Sequence, residues 1–208
     1  MTLAEKLTAI AQNQQAVFDA GAQSEYDRFW DAYQNKGNNK YYLYAFAGNR
    51  WNDTTYNPKY PITPTGNSQM MYIMSGVTDT KVPIDLDAEN VTNCTNMFKD
   101  ATSLKTIRLL KVRDTIPMHD QFSGCKKLEN ITIEGTIGRI VNMSACPLTR
   151  ASIESVVAAL SDIATVDTVK GTELTATFKV SAVNAAFTAE EWVVLTASKP
   201  NWRFVLAE

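Results

Sequence analysis

Residues 94–134 read CTNMFKDATSLKTIRLLKVRDTIPMHDQFSGCKKLENITIE, and one pattern passes through this stretch twice. Phe98, Ala101, Leu104, Ile107 and Leu109 stand 24 residues before Phe122, Cys125, Leu128, Ile131 and Ile133. The residues between these positions barely match, so spacing carries the signal. One step earlier, Ile84 and Leu86 stand 23 residues before Ile107 and Leu109. Each unit contains an apolar I-x-[IL] triplet, the two-residue alternation of a short strand with one buried face. Strands are therefore expected at Ile84–Leu86, Ile107–Leu109 and Ile131–Ile133, stacked in parallel, with irregular turns at Asn96–Ala101 and Asp120–Cys125 between them.

A period in the range of about 20–29 residues with one such triplet per unit is the signature of a leucine-rich-repeat solenoid. The expected fold class is α/β: a short leucine-rich-repeat solenoid of parallel strands with short turns and helices, preceded by an N-terminal helix. Residues 1–38 would form a helical extension and 39–208 the repeat domain. Within that domain, 39–80 is read as an N-terminal cap, 81–148 as regular repeats and 149–208 as helix-containing repeats.

The N-terminal extension opens on a capping box, Thr2-Leu-Ala-Glu5. Leu3, Leu7, Ile10 and Val17 then line one helical face, which reads equally as a helix lying on its own domain or as a candidate oligomer seam. Past Gly21 the phase changes, and Tyr26, Phe29, Trp30 and Tyr33 make a second face rotated by about 120°. A straight helix cannot present both faces to one partner. Residues 41–72 are irregular and rich in aromatic residues, with Pro58, Pro61 and Pro64 opposing regular structure. These rings would either cap the open end of the repeat core or line a carbohydrate-binding surface.

Beyond the regular repeats, a fourth unit is expected through Ile140–Met143 and Cys146–Leu148. Thr149 is read as the N-cap of a helix carrying Ile153, Val156, Val157, Leu160 and Ile163 on one face. Thr172 to Val183 alternates as a strand would, with Phe178 and Val180 inward. Thr188-Ala-Glu-Glu191 is a second capping box, and Phe187 and Trp192 stand where a hydrophobic staple places its pair. A last strand is expected at Arg203–Leu206.

Composition narrows the function classes. The chain has 208 residues, 45% hydrophobic and 20% charged, which suits one globular domain or a domain with a short extension. A net charge of −2 gives no electrostatic case for nucleic acid. No apolar run reaches the roughly 18 residues of a membrane span, so no membrane insertion is expected. The first residues lack the apolar core of a secretory signal. A virion-associated protein, or one cytoplasmic before assembly, is therefore expected ahead of classical secretion. Cys94, Cys125 and Cys146 are an odd number at wide spacing, which matches neither a metal motif nor a disulfide framework. Cys125 occupies an apolar repeat position and is read as a buried free thiol.

His119 is the single histidine, and Asp120 beside it is badly placed to orient it as a catalytic base. No catalytic residue, metal site or cofactor is expected. Asp85, Asp87 and Glu89 alternate along the first repeat strand and read either as a solvated face or as a calcium or polar ligand site. The middle residue of each triplet should face outward. Asp85, Arg108 and Thr132, with Lys111 and Glu134, are therefore the candidate ligand surface.

The segment Met118–Ile133, M-x3-F-x2-C-x2-L-x2-I-x-I, resembles the BspA-like leucine-rich repeats of bacterial surface proteins. Val91–Phe98, V-T-N-C-T-N-M-F, is similar to short bacterial repeats built on N-M-F-x-x-C-x-S-L, with Ala101 at the cysteine position. Residues 128–137 and 144–148, with the N-terminal opening, resemble gut-bacterial and prophage-encoded repeat proteins. The resemblance implies a non-enzymatic interaction or structural protein, phage-tail or cell-surface associated. It would bind a protein or surface glycan through the repeat sheet face and form homo-oligomers through the N-terminal helix. The competing reading is a carbohydrate-binding module or carbohydrate-active enzyme using the aromatic segment 41–72.

Overall fold

The computed structural model describes residues 84–208 and two earlier strands, β1 (Asn39–Tyr41) and β2 (Asn67–Gln69). The expected N-terminal helix with its Leu3, Leu7, Ile10 and Val17 seam, its second aromatic face, and nearly all of the aromatic segment lie outside the described residues. The chain is mixed α/β with parallel sheets. Strands β3 (Ile84–Asp87), β5 (Thr106–Val112) and β6 (Asn130–Gly135) form one sheet in that order. Ile84 pairs with Ile107 and Ile107 with Ile131, while Leu86, Leu109 and Ile133 align one step along. Side chains alternate across a strand, so the register puts each apolar triplet on one face. Leu86, Ile107, Leu109, Ile131 and Ile133 are all buried.

The turns between these strands stack as closely as the strands do. Backbone N–H groups of Cys94, Asn96, Phe98 and Asp100 donate to the carbonyls of Pro117, His119, Gln121 and Ser123 at 2.8, 3.0, 3.1 and 2.7 Å. Phe98 and Phe122 stack with ring centroids 5.8 Å apart and planes inclined by 10°. Left-handed backbone recurs with the 24-residue spacing: Asn96 and Asp120, Asp100 and Gly124, Lys111 and Gly135. Asn and Asp tolerate that region better than other side chains. Gly135, at φ +118°, is additionally required by contact, because a Cβ there would overlap the Val112 backbone.

β6 ends its sheet against helix α1 (Arg150–Ala159). The hydroxyl oxygens of Ser152 and Ser155 accept from the N–H groups of Ile131 and Ile133, both at 3.0 Å. A helix thus satisfies donors that a further strand would otherwise take. Ile153, Val156 and Val157 are buried as expected. This helix departs from expectation at two residues. Thr149 stands at the N-cap as expected, but its side chain accepts no capping bond; its hydroxyl lies 3.2 Å from the Glu129 carbonyl and 2.9 Å from Ser152 Oγ. Ile163 lies beyond the helix and is 88% exposed, because the chain leaves helical geometry at Leu160 to bridge Ile137.

Two more parallel sheets are present among the described residues. β4 (Val91–Asn93) pairs with β2, which pairs with β1. β7 (Val141–Met143), β10 (Thr175–Lys179) and β11 (Arg203–Ala207) form the other, with Phe178 aligned to Met143 on one side and Leu206 on the other. A short antiparallel hairpin, β8 (Val166–Asp167) with β9 (Thr172–Glu173), precedes β10. The strand expected through Val183 ends at Lys179. Residues 180–186, with three alanines, form helix α2 (Val180–Ala186), and Val180 is half-buried at its start. The second capping box is present at helix α3 (Ala189–Ala197): Thr188 Oγ1 accepts from the Glu191 N–H, and Glu191 accepts from the Thr188 N–H. Its staple forms, with Phe187 and Trp192 centroids 5.9 Å apart. Arg150 joins α1 to this corner through Glu191 and lies 4.5 Å over the Phe187 ring. No helix among the described residues is long and apolar enough to cross a membrane.

Candidate ligand-binding face

Parallel pairing of β3, β5 and β6 sets Asp85 beside Arg108 and Arg108 beside Thr132. Because Leu86, Ile107, Leu109, Ile131 and Ile133 point inward, these three point out. Arg108 and Thr132 are exposed, and Asp85 is half-buried. Arg108 Nη2 reaches Asp85 Oδ2 at 2.6 Å. Lys111 interrupts the alternation at a left-handed residue, where the register with β6 shifts. Its ammonium reaches Glu89 at 2.7 Å and Asp87 at 2.9 Å. The hydrogen bonds it donates to Glu89 and then Asp87 raise its pKa above the ordinary lysine value.

Every carboxylate along β3 and its following turn therefore has a cationic partner. This removes the motive for a calcium site at Asp85, Asp87 and Glu89. Among the described residues, no group of three or more His, Cys, Asp and Glu side chains is placed to hold a metal. The open groups are on β6. Thr132 and Glu134 are exposed and make no side-chain hydrogen bond or ion pair among the described residues. The face thus runs from a neutralised ionic row to an unpaired hydroxyl and carboxylate.

The buried polar chemistry lies elsewhere. His119 is buried, and its Nε2 is 2.8 Å from Asp167 Oδ2, not near a catalytic partner at Asp120. Asp167 Oδ2 also accepts from the Ile140 N–H at 3.0 Å. Its Oδ1 accepts from the N–H groups of Val169 and Lys170 at 2.9 and 3.1 Å. Burial pushes this carboxyl upward, but the bonds from Ile140, His119, Lys170 and Val169 outweigh it and hold the pKa at about 2. Asp167 therefore ties a repeat turn, the approach to β7 and the β8–β9 hairpin together. Sequence offered no local sign of this pair, whose members are 48 residues apart.

The three cysteines are buried and free. Cys125 Sγ donates to the Phe98 carbonyl at 3.0 Å, so it serves the repeat core as expected from its position. Burial pushes the Cys94 and Cys125 thiols up to about 12, with a backbone hydrogen bond at Ala101 partly opposing this for Cys125. Neither is poised as a nucleophile. No protein-family model, curated protein or solved structure matches this chain.

Proposed function

We propose that this chain is a leucine-rich-repeat solenoid with a non-enzymatic binding role, phage-tail or cell-surface associated, whose β3–β5–β6 face takes a protein or surface glycan. The reading is carried by the outward-facing row Asp85, Arg108 and Thr132, in register across three adjacent strands. Side chains on neighbouring strands recur about every 4.8 Å. Such a row offers hydrogen-bonding groups at fixed intervals on a backbone held by its own stacked turns. A ligand with repeating hydroxyls or an extended polar chain can engage several groups together, at little cost in ordering the protein. Thr132 and Glu134 are the anchoring positions, since neither needs to give up an intramolecular partner first. Arg108, Asp85 and Lys111 border them and exchange one ion pair for another on binding.

The test is binding of the full chain to a glycan array and to bacterial envelope fractions. Wild type is compared with Thr132→Lys, Arg108→Glu and a control, Lys126→Glu, on an exposed turn. The face variants should lose about tenfold or more in affinity, the scale of one or two polar contacts, while the control binds normally. Equal binding by all four proteins, or cleavage of the bound material, would overturn the reading.

A further inference from the structure

The two sheets that contain helical neighbours end differently. β6 is closed by the serine hydroxyls of α1. β11, the last strand of the other sheet, has no hydrogen-bond partner on its outer side among the described residues. The Arg203 N–H donates to Leu174 on the β10 side at 2.9 Å. Backbone groups alternate sides along a strand, so Val205 and Ala207 also face β10 while Phe204 and Leu206 present their N–H and C=O groups outward. The side chains here are equally open. No residue of α3 or β11 is fully buried, and Val193, Val194 and Leu206 are 64, 73 and 38% exposed.

We propose that this edge is a self-association surface, on which β11 of a second copy of this chain pairs antiparallel about a two-fold axis through Val205. In that register Phe204 of each copy lies opposite Leu206 of the other. Both present outward backbone groups, so each such pair exchanges two N–H···O=C bonds, as the hydrogen-bonded pairs of an antiparallel ladder do. Their side chains share the face that Trp192 covers, where Trp192 lies 5.8 Å from the Phe204 ring, so the apolar layer continues across the axis. Opposite charges also meet at the strand ends, since the Arg203 end of one strand, with Arg203 3.5 Å from Glu173 of its own chain, runs beside the Glu208 end of the other. Trp192 touches both Phe178 and Phe204, which sets α3 over the last two strands. The partner's α3 then stands about one helix diameter away, since two strands span about 10 Å. Val193, about 100° around the helix from Trp192 and on the side away from Glu191, supplies an apolar side chain for that contact.

The test introduces Val205→Cys into the full chain under mild oxidation, with Arg203→Cys and Ile163→Cys as controls. Residues facing each other across the axis form a non-hydrogen-bonded pair with Cα atoms about 4.5 Å apart, inside the range a disulfide spans. The native cysteines are buried, so the new thiol reports alone. A covalent dimer is expected with Val205→Cys and neither control, and adding Leu206→Lys should abolish it. Independently, hydrogen exchange at Phe204 and Leu206 in the wild type should slow about tenfold from low to high protein concentration. This second measurement decides the matter if a variant fails to fold. Three results would overturn the proposal: cross-linking equal to the controls, fast exchange at every concentration, or slow exchange independent of concentration. The last would mean that the edge is covered from within one chain.

Discussion

Replacing Asp167 with asparagine keeps the shape of the side chain and removes one of its two acceptor oxygens. In the native protein each oxygen takes two donors, Oδ1 from Val169 and Lys170 and Oδ2 from His119 and Ile140. Whichever way the new amide turns, an NH2 group meets two donors at a site with no exposure to solvent. A buried donor without an acceptor costs about 1–3 kcal/mol, and the remaining pair loses its charged partner. The sum is a destabilisation of about 3–5 kcal/mol, or a urea midpoint lowered by about 2 M for a slope near 2 kcal/mol per molar. The loss should also depend on pH. The folded-state pKa of Asp167 is depressed from 3.8 to about 2, so its ionic contribution is complete above the unfolded value and disappears as pH falls through the folded one. That contribution is about 2 kcal/mol. Urea unfolding followed by tryptophan fluorescence should show the gap between wild type and Asp167→Asn narrowing by that amount between about pH 5 and pH 2. A variant within about 1 kcal/mol of wild type at neutral pH, or a gap that ignores pH, would refute the assignment of Asp167 as the tie between these segments.

Gly135→Ala should destabilise by about 3 kcal/mol or more, because a left-handed conformation and a backbone overlap at Val112 act together. Gly171→Ala, also left-handed but with nothing near its added methyl, should cost about 1–2 kcal/mol; equal thermal shifts for the two would contradict the stacked-turn account. The three thiols should stay silent to a chromogenic disulfide reagent at mildly alkaline pH in the native protein and react together in urea. A single fast thiol under native conditions would show that the core around it opens.

What was legible in the sequence was whatever the 24-residue spacing repeats. The I-x-[IL] triplets gave strands and register, because a one-residue slip would turn Ile107 and Leu109 to solvent. The structure adds left-handed residues at that same spacing, Asn96 with Asp120 and Asp100 with Gly124, inside the segments that the sequence marked only as irregular turns. The failures arise where local chemistry met a neighbour that the local pattern does not contain. Thr149 stands at the N-cap, but its hydroxyl lies against the Glu129 carbonyl, just before β6, and against Ser152 Oγ, and it accepts no backbone N–H. Ile163 satisfies the helical spacing, but bridging to Ile137 drew Leu160 out of the helix before that residue was reached. Val180 extends an alternation that the following alanines end. Asp167 takes two of its donors, Val169 and Lys170, from its own turn, but the other two, His119 and Ile140, come from 48 and 27 residues away, where no local pattern reaches.

This division separates the test of the fold from the test of the function. Inward positions and tie points carry stability: Ile107, Gly135 and Asp167 cannot change without loss of packing, backbone geometry or buried bonds. The outward row is held to nothing comparable. The Arg108–Asp85 pair joins side chains 46 and 30% exposed, and exposed pairs contribute at most about 1 kcal/mol. Thr132 and Glu134 make no intramolecular bond among the described residues for a substitution to break. Changes at Arg108, Thr132 and Glu134 should therefore leave the unfolding midpoint nearly unmoved, so a binding loss in those variants reports on the face itself. Conversely, a large stability loss at Thr132 would place it in the architecture and remove it from the binding surface.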